Sequence, residues 1–143
     1  MKQYIVDASV AAKWYFREEF EEKANTLFEA FQKGLAMLVV PEIFYPEMAK
    51  VCKKRMRDQK IGNKRALQVF DEIMQLPLKT YSDRELAHVA FKNSIEFNIT
   101  SYDGLYMGLA ELLNSPLITA DQKLLNACKN RFFLIEPLED FVL

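Results

Sequence analysis

Residues 1–16 read MKQYIVDASVAAKWYF, and this stretch decides the fold. QYIV at 3–6 has the short apolar pattern of a strand, and it ends on an acid, Asp7. Ser9 is expected to cap a helix that runs through Trp14 and Tyr15. The same alternation repeats along the chain. Helices are expected over 20–33, 43–59, 63–75, 84–97, 102–113 and 122–129, from apolar residues at helical spacing. Gly34 should stop the first of these, and Gly62-Asn63 should divide the second from the third. Between them lie short apolar runs at 36–40 (AMLVV), 117–119 (LIT) and 132–135 (FFLI), with a brief extended piece at 99–101. Short apolar strands separated by helices predict an α/β fold: a parallel sheet with both faces covered. Ligands of such sheets bind beyond the carboxyl ends of the strands.

Three of the five expected strands are followed by aspartates: Asp7, Asp103 and Asp121. Any one of them could serve as a helix cap or turn residue, so their common placement carries the weight. Glu47 adds a fourth acid. It follows Phe44 by three positions and precedes Val51 by four, which puts it on the apolar face of its helix. A carboxylate there is costly to bury unless it is paired or metal-bound. The alternative is a stripe-edge residue that reaches solvent. Glu42 reads instead as a first-turn acid favoured by the helix dipole. Oxygen ligands without His or Cys suit a hard cation, Mg²⁺ or Mn²⁺. The lone histidine, His88, reads as a helix-face residue, so a nucleophilic triad is not expected.

The chain has 143 residues, half of them apolar and 13% aromatic, enough to build one real core and to exclude general disorder. A single domain over 1–143 is expected. Only four glycines and five prolines argue for long helices over a turn-dense β sandwich. Cys52 and Cys128 are too few for a disulfide framework or zinc site and read as buried thiols. No apolar run is long enough to span a bilayer, and the N-terminus lacks signal-peptide architecture, so the expectation is a cytoplasmic protein.

The formal charge of −1 hides a strong asymmetry. Residues 50–65, KVCKKRMRDQKIGNKR, hold eight bases against Asp58, a local charge of +7 set against −8 elsewhere. Such a run is ordinarily a solvated face. Here it starts three residues after Glu47, and at ~1.5 Å of rise per residue it leads away from that acid along one helix. Lys50, Lys53, Lys54 and Arg57 are the candidate RNA-backbone contacts. The rival use is docking an acidic partner segment. Trp14, Tyr15, Phe16, Tyr102 and Tyr106 lie near the candidate acids. They are better explained by packing or a partner groove than by base stacking.

Four segments together carry a resemblance: IVDASVAAKW at 5–14, PEIFYPEMAKV at 41–51, ITSYDGLYMGLAELL at 99–113 and PLITADQKLL at 116–125. In this order and spacing the chain resembles the PIN-domain nucleases, and among them the VapC-type toxins. The resemblance implies that Asp7, Glu47, Asp103 and Asp121 are catalytic metal ligands, supported by Ser9 and Thr119. It implies a three-layer α/β/α sandwich with a five-stranded parallel sheet of order 3-2-1-4-5. It further implies Mg²⁺ or Mn²⁺, endoribonuclease activity on RNA, a small antitoxin partner and a homodimer. Gly104 departs from the pattern, since the family commonly has Ala after this aspartate. A catalytically silent PIN-like module that binds RNA or protein is the alternative, though it would be expected to lose at least one of the four acids. A receiver-type phosphoacceptor would need an acid pair after the first strand, and a Rossmann protein a Gly-rich turn; the chain has neither.

Overall fold

The computed structural model describes residues 1–143. Its centre is a five-stranded, all-parallel sheet of order β3-β2-β1-β4-β5. The strands are β1 (Lys2–Val6), β2 (Ala36–Pro41), β3 (Lys79–Tyr81), β4 (Leu117–Thr119) and β5 (Ile135–Pro137). The helices are α1 (Ala8–Ala11), α2 (Glu21–Gln32), α3 (Phe44–Asp58), α4 (Asn63–Gln75), α5 (Asp83–Phe97), α6 (Ser101–Leu113) and α7 (Gln122–Cys128). This is the α/β architecture read from the sequence pattern and the strand order that the resemblance implies.

The chain lays β2 and β3 on one side of β1, then crosses to place β4 and β5 on the other. The switch falls between β1 and β4. Ile5 pairs with Leu117 and Val6 with Ile118, so the next residues, Asp7 and Thr119, emerge side by side at the carboxyl edge. Ile5, Val6, Leu38, Val39, Val40, Leu117 and Ile118 are almost wholly withdrawn from solvent, as strands covered on both faces must be. Helix α6 packs on β1, β2 and β4 and is buried continuously from Gly104 to Ala110. Its outer side meets α5. No helix is long and apolar enough to cross a membrane. Cys52 and Cys128 are free and buried, as expected.

Several expectations about elements fail. The extended piece at 99–101 is not a strand: Thr100 caps α6 and Ser101 opens it. The missing strand is KTY at 79–81, which pairs with Val39–Pro41 on the sheet's edge. Its residues are only half-buried or exposed, so it lacks the apolar run that marks the inner strands. The last strand also begins later, at Ile135 and not Phe132. The carboxyl edge therefore receives strand-end aspartates from β1 and β4, while Asp103 arrives on the first turn of a helix. Finally, the cap of α1 is Asp7 itself, with Ser9 inside the helix.

Candidate active site

One cavity of about 500 Å³ opens at the carboxyl edge of the sheet, and Asp7, Glu47, Asp103 and Asp121 all line it. They come from four separate segments: the end of β1, the first turn of α3, the first turn of α6 and the residue capping α7. None of the four forms an ion pair with a basic side chain.

Asp7 is held through both carboxylate oxygens. Oδ1 accepts from the Ser9 amide at 3.1 Å, the Val10 amide at 3.3 Å and Ser9 Oγ at 2.5 Å. Oδ2 accepts from Thr119 Oγ1. Thr119 Oγ1 in turn accepts from the Asp121 amide at 3.1 Å, and Ser9 Oγ accepts from the Ala120 amide at 2.9 Å. The two supporting hydroxyls named from the sequence thus tie the ends of β1 and β4 into one network. This geometry is local chemistry in register: an Asx-type cap on one strand end beside a threonine on the other.

Asp121 caps α7, with Oδ1 accepting from the Lys123 amide at 3.0 Å and the Leu124 amide at 3.3 Å. Asp103 is set on α6, whose start is fixed by the Thr100 side chain accepting from the Asp103 amide at 3.1 Å. Glu47 accepts a 2.6 Å hydrogen bond on Oε1 from the Tyr106 hydroxyl. Tyr106 was expected to be a packing residue. It is fully buried, and it also orients a cavity acid. The available clue was its position three residues after Asp103, one helical turn along the same face.

Burial first, and neighbouring acids second, raise the proton affinity of Asp7, Glu47 and Asp103. Burial pushes the Asp7 carboxyl up to about 6; the Ser9, Thr119 and Val10 hydrogen bonds oppose this, and Asp103 adds to it. Glu47 is raised by burial and by Asp7 and Asp103, against the pull of Tyr106 and Lys50. Asp103 is raised by burial and by Asp121. No three acidic, His or Cys side chains are already gathered closely enough to hold an ion as they stand. Unscreened like charges oppose a tighter cluster, at about 4 kcal/mol for two carboxylates 4 Å apart at an effective dielectric of 20.

The basic run divides in two. Lys50 and Lys54 line the cavity with the acids, and so does Arg55. Lys53 instead borders an apolar groove between α3 and α4, and Arg57 turns to Asp58 at 3.4 Å. The helical repeat turns Lys53 away from the face that carries 47, 50, 51, 54 and 55, whereas Arg57, seven residues after Lys50, stays near that side but lies beyond the cavity. Among the aromatics, Trp14 stacks on Phe28 at 4.7 Å and Phe16 is buried, while Tyr102 is exposed at the cavity rim. Glu42, set apart from the site in the sequence, accepts from the Asp83 amide at 2.9 Å.

The sequence profile of the PIN domain matches residues 4–130, almost the whole chain. The chain belongs to the PIN-domain family. This PIN domain is 29% identical over 122 residues to Ribonuclease VapC3 of Pyrobaculum aerophilum, covering 84% of the chain and 90% of that relative. Two solved structures share its fold. One is PAE2754 from Pyrobaculum aerophilum, with a TM-score of 0.64, 21% identity and 96% and 90% of the two chains covered. The other is VapBC2 from Rickettsia felis bound to a DNA fragment from their promoter, with a TM-score of 0.62, 13% identity and 94% and 98% covered.

Proposed function

We propose that this PIN domain is an endoribonuclease that hydrolyses RNA phosphodiester bonds with the help of Mg²⁺ or Mn²⁺, and that it is the toxin of a toxin–antitoxin pair. The observation that carries the reading is the convergence of four carboxylates from four segments on one cavity whose wall also bears Lys50 and Lys54. The likeness to Ribonuclease VapC3 supports RNA as the substrate, and the likeness to the VapBC2 assembly supports a small antitoxin partner. A homodimer, a cytoplasmic location and action of residues 1–143 as one unit belong to the same reading.

The donor set fits a hard cation: only oxygen ligands are offered, none is neutralised by a base, and three are driven toward protonation by burial and neighbouring charge. Asp7, Glu47, Asp103 and Asp121 would hold the ion. When bound, it would acidify water and offset charge on the phosphate. The chain's own groups supply orientation. Ser9 and Thr119 prevent Asp7 from turning, and Tyr106 does the same for Glu47. Lys50 and Lys54 draw the polyanion toward the acids.

The test is cleavage of RNA by the full chain during a Mg²⁺ or Mn²⁺ titration, followed together with thermal melting. Divalent ions should raise the melting temperature and switch on cleavage. Asp7→Asn and Asp103→Asn should each abolish cleavage while the protein stays folded. Wild-type cleavage in these variants, or no response to either ion, defeats the reading. RNA binding without cleavage at any ion concentration would favour the silent binding module.

A further inference from the structure

Glu18, in the loop between α1 and α2, sits beneath two cations. Arg55 meets it in a fork, with Nε donating to Oε2 and Nη2 donating to Oε1, both at 3.0 Å. Lys13 Nζ lies 3.5 Å from the same Oε1. All three side chains are largely withdrawn from water, with 8% of Lys13, 15% of Glu18 and 24% of Arg55 accessible. The loop is pinned to the same helix again by Gln59 Nε2, which donates to the Arg17 carbonyl at 3.1 Å.

Holding the loop to α3 needs one cation on Glu18, and the second leaves one positive charge more than Glu18 balances in a poorly hydrated place, with the exposed Asp58 the further carboxylate that acts on Arg55. Charge of that kind is costly unless it meets a counter-charge. Arg55 is also the one member of the cluster that lines the acid cavity, on the same face of α3 as Glu47, Lys50 and Lys54. A guanidinium carries five N–H donors in a rigid fork; Glu18 takes two, which leaves three. A clamped guanidinium with spare donors matches a phosphate oxygen better than a mobile lysine does.

We propose that Arg55 anchors a backbone phosphate of the RNA beside the acid cavity, with Glu18 and Lys13 as positioning residues. Glu18 fixes the angle of the guanidinium. Lys13 keeps the Arg55–Glu18 pair from being electrically neutral, so that the anchor still attracts an anion. The proposal rests on the ribonuclease reading above.

The experiment is steady-state cleavage of a mixed-sequence single-stranded RNA oligonucleotide by the full chain in Mg²⁺, repeated across salt concentrations. Arg55→Gln should raise KM about tenfold, the loss expected for one charge-assisted hydrogen-bonding partner, with kcat nearly unchanged. Its plot of log(kcat/KM) against log salt should be flatter by about 0.7, the contribution of one phosphate contact on a single strand. Arg55→Lys should keep the wild-type slope with an intermediate KM. Glu18→Gln removes a negative charge beside the anchor, so it should not flatten the slope, although it breaks the same ion pair. Lys13→Met should raise KM at low salt and approach wild type at high salt. A merely structural pair would make Arg55→Gln and Glu18→Gln alike in slope and in melting temperature, and that result overturns the anchor. Wild-type cleavage with an unchanged slope in Arg55→Gln overturns the anchor alone. A wild-type chain that does not cleave RNA overturns the ribonuclease reading and the anchor with it.

Discussion

Asp7 is the most deeply buried of the four cavity acids. Its carboxyl is raised from 3.8 to about 6 because burial penalises the anion more than three side-chain and backbone donors relieve it. At about 1.36 kcal/mol per pKa unit, the ionised form costs the metal-free fold on the order of 3 kcal/mol. The direction in pH follows. The folded carboxyl holds its proton more tightly than the unfolded one, so the stabilisation is complete below about pH 4 and is lost as pH rises through 6. Glu47 and Asp103 are raised too and act in the same direction. Urea midpoints in a chelator should therefore fall between pH 4 and pH 7. Asp7→Asn should flatten much of that fall and exceed wild type in stability at pH 7. A wild-type profile that rises over this range would contradict the account.

At the level of elements, the contact between α5 and α6 decides where Asp103 stands. Gly104 follows Asp103 in the first turn of α6, and a Cβ there would lie 2.4 Å from the Ala90 carbonyl oxygen of α5. The family's usual alanine at this place therefore has no room in this chain. The neighbouring close approach is different in kind: a Cβ on Gly108 would meet Val89 Cγ1 at 2.4 Å, a side-chain methyl and not backbone, though one that a β-branched residue in a helix moves only at a cost. Alanine gains up to about 1 kcal/mol of helix propensity over glycine. At 108 this gain offsets part of the cost of shifting Val89, and Gly108→Ala should cost less than Gly104→Ala. At 104 the backbone overlap cannot be relieved by a rotamer, and Gly104→Ala should cost about 1–3 kcal/mol. It should also lower cleavage by displacing Asp103. Chemical denaturation of the two variants checks the contrast, and equal stabilities would refute it.

Across the whole molecule, the run of +7 charge works as two surfaces and not as one track. Lys50 and Lys54 share the cavity with the acids, whereas Lys53 borders the groove between α3 and α4 and Arg57, beyond the cavity, pairs with Asp58. Paired neutralisation makes this measurable. Lys50→Gln with Lys54→Gln should weaken RNA binding and flatten its salt dependence by about 1.4, the effect of two phosphate contacts on a single strand. Lys53→Gln with Arg57→Gln, with the same change in net charge, should leave the slope close to wild type. If the two double variants behave alike, the attraction is a diffuse effect of total charge.

The sequence by itself was enough for the α/β class, the inner strands, the long helices and the acids Asp7, Glu47 and Asp121 at one edge; Asp103 was placed after a strand and stands on a helix. Those features rest on local rules: buried strands must be apolar, helices repeat every 3.6 residues, and a carboxylate on an apolar stripe demands a reason. Residues 79–81 escaped because an edge strand needs no apolar run. The extended reading of 99–101 failed because Thr100, β-branched but with a hydroxyl, serves as a helix cap. Tyr106 on Glu47, the Glu18–Arg55–Lys13 cluster, the crowding at Gly104 and the division of the lysines were decided only by the tertiary structure. Each joins residues distant along the chain, and a contact of that kind depends on packing distances that no local pattern encodes.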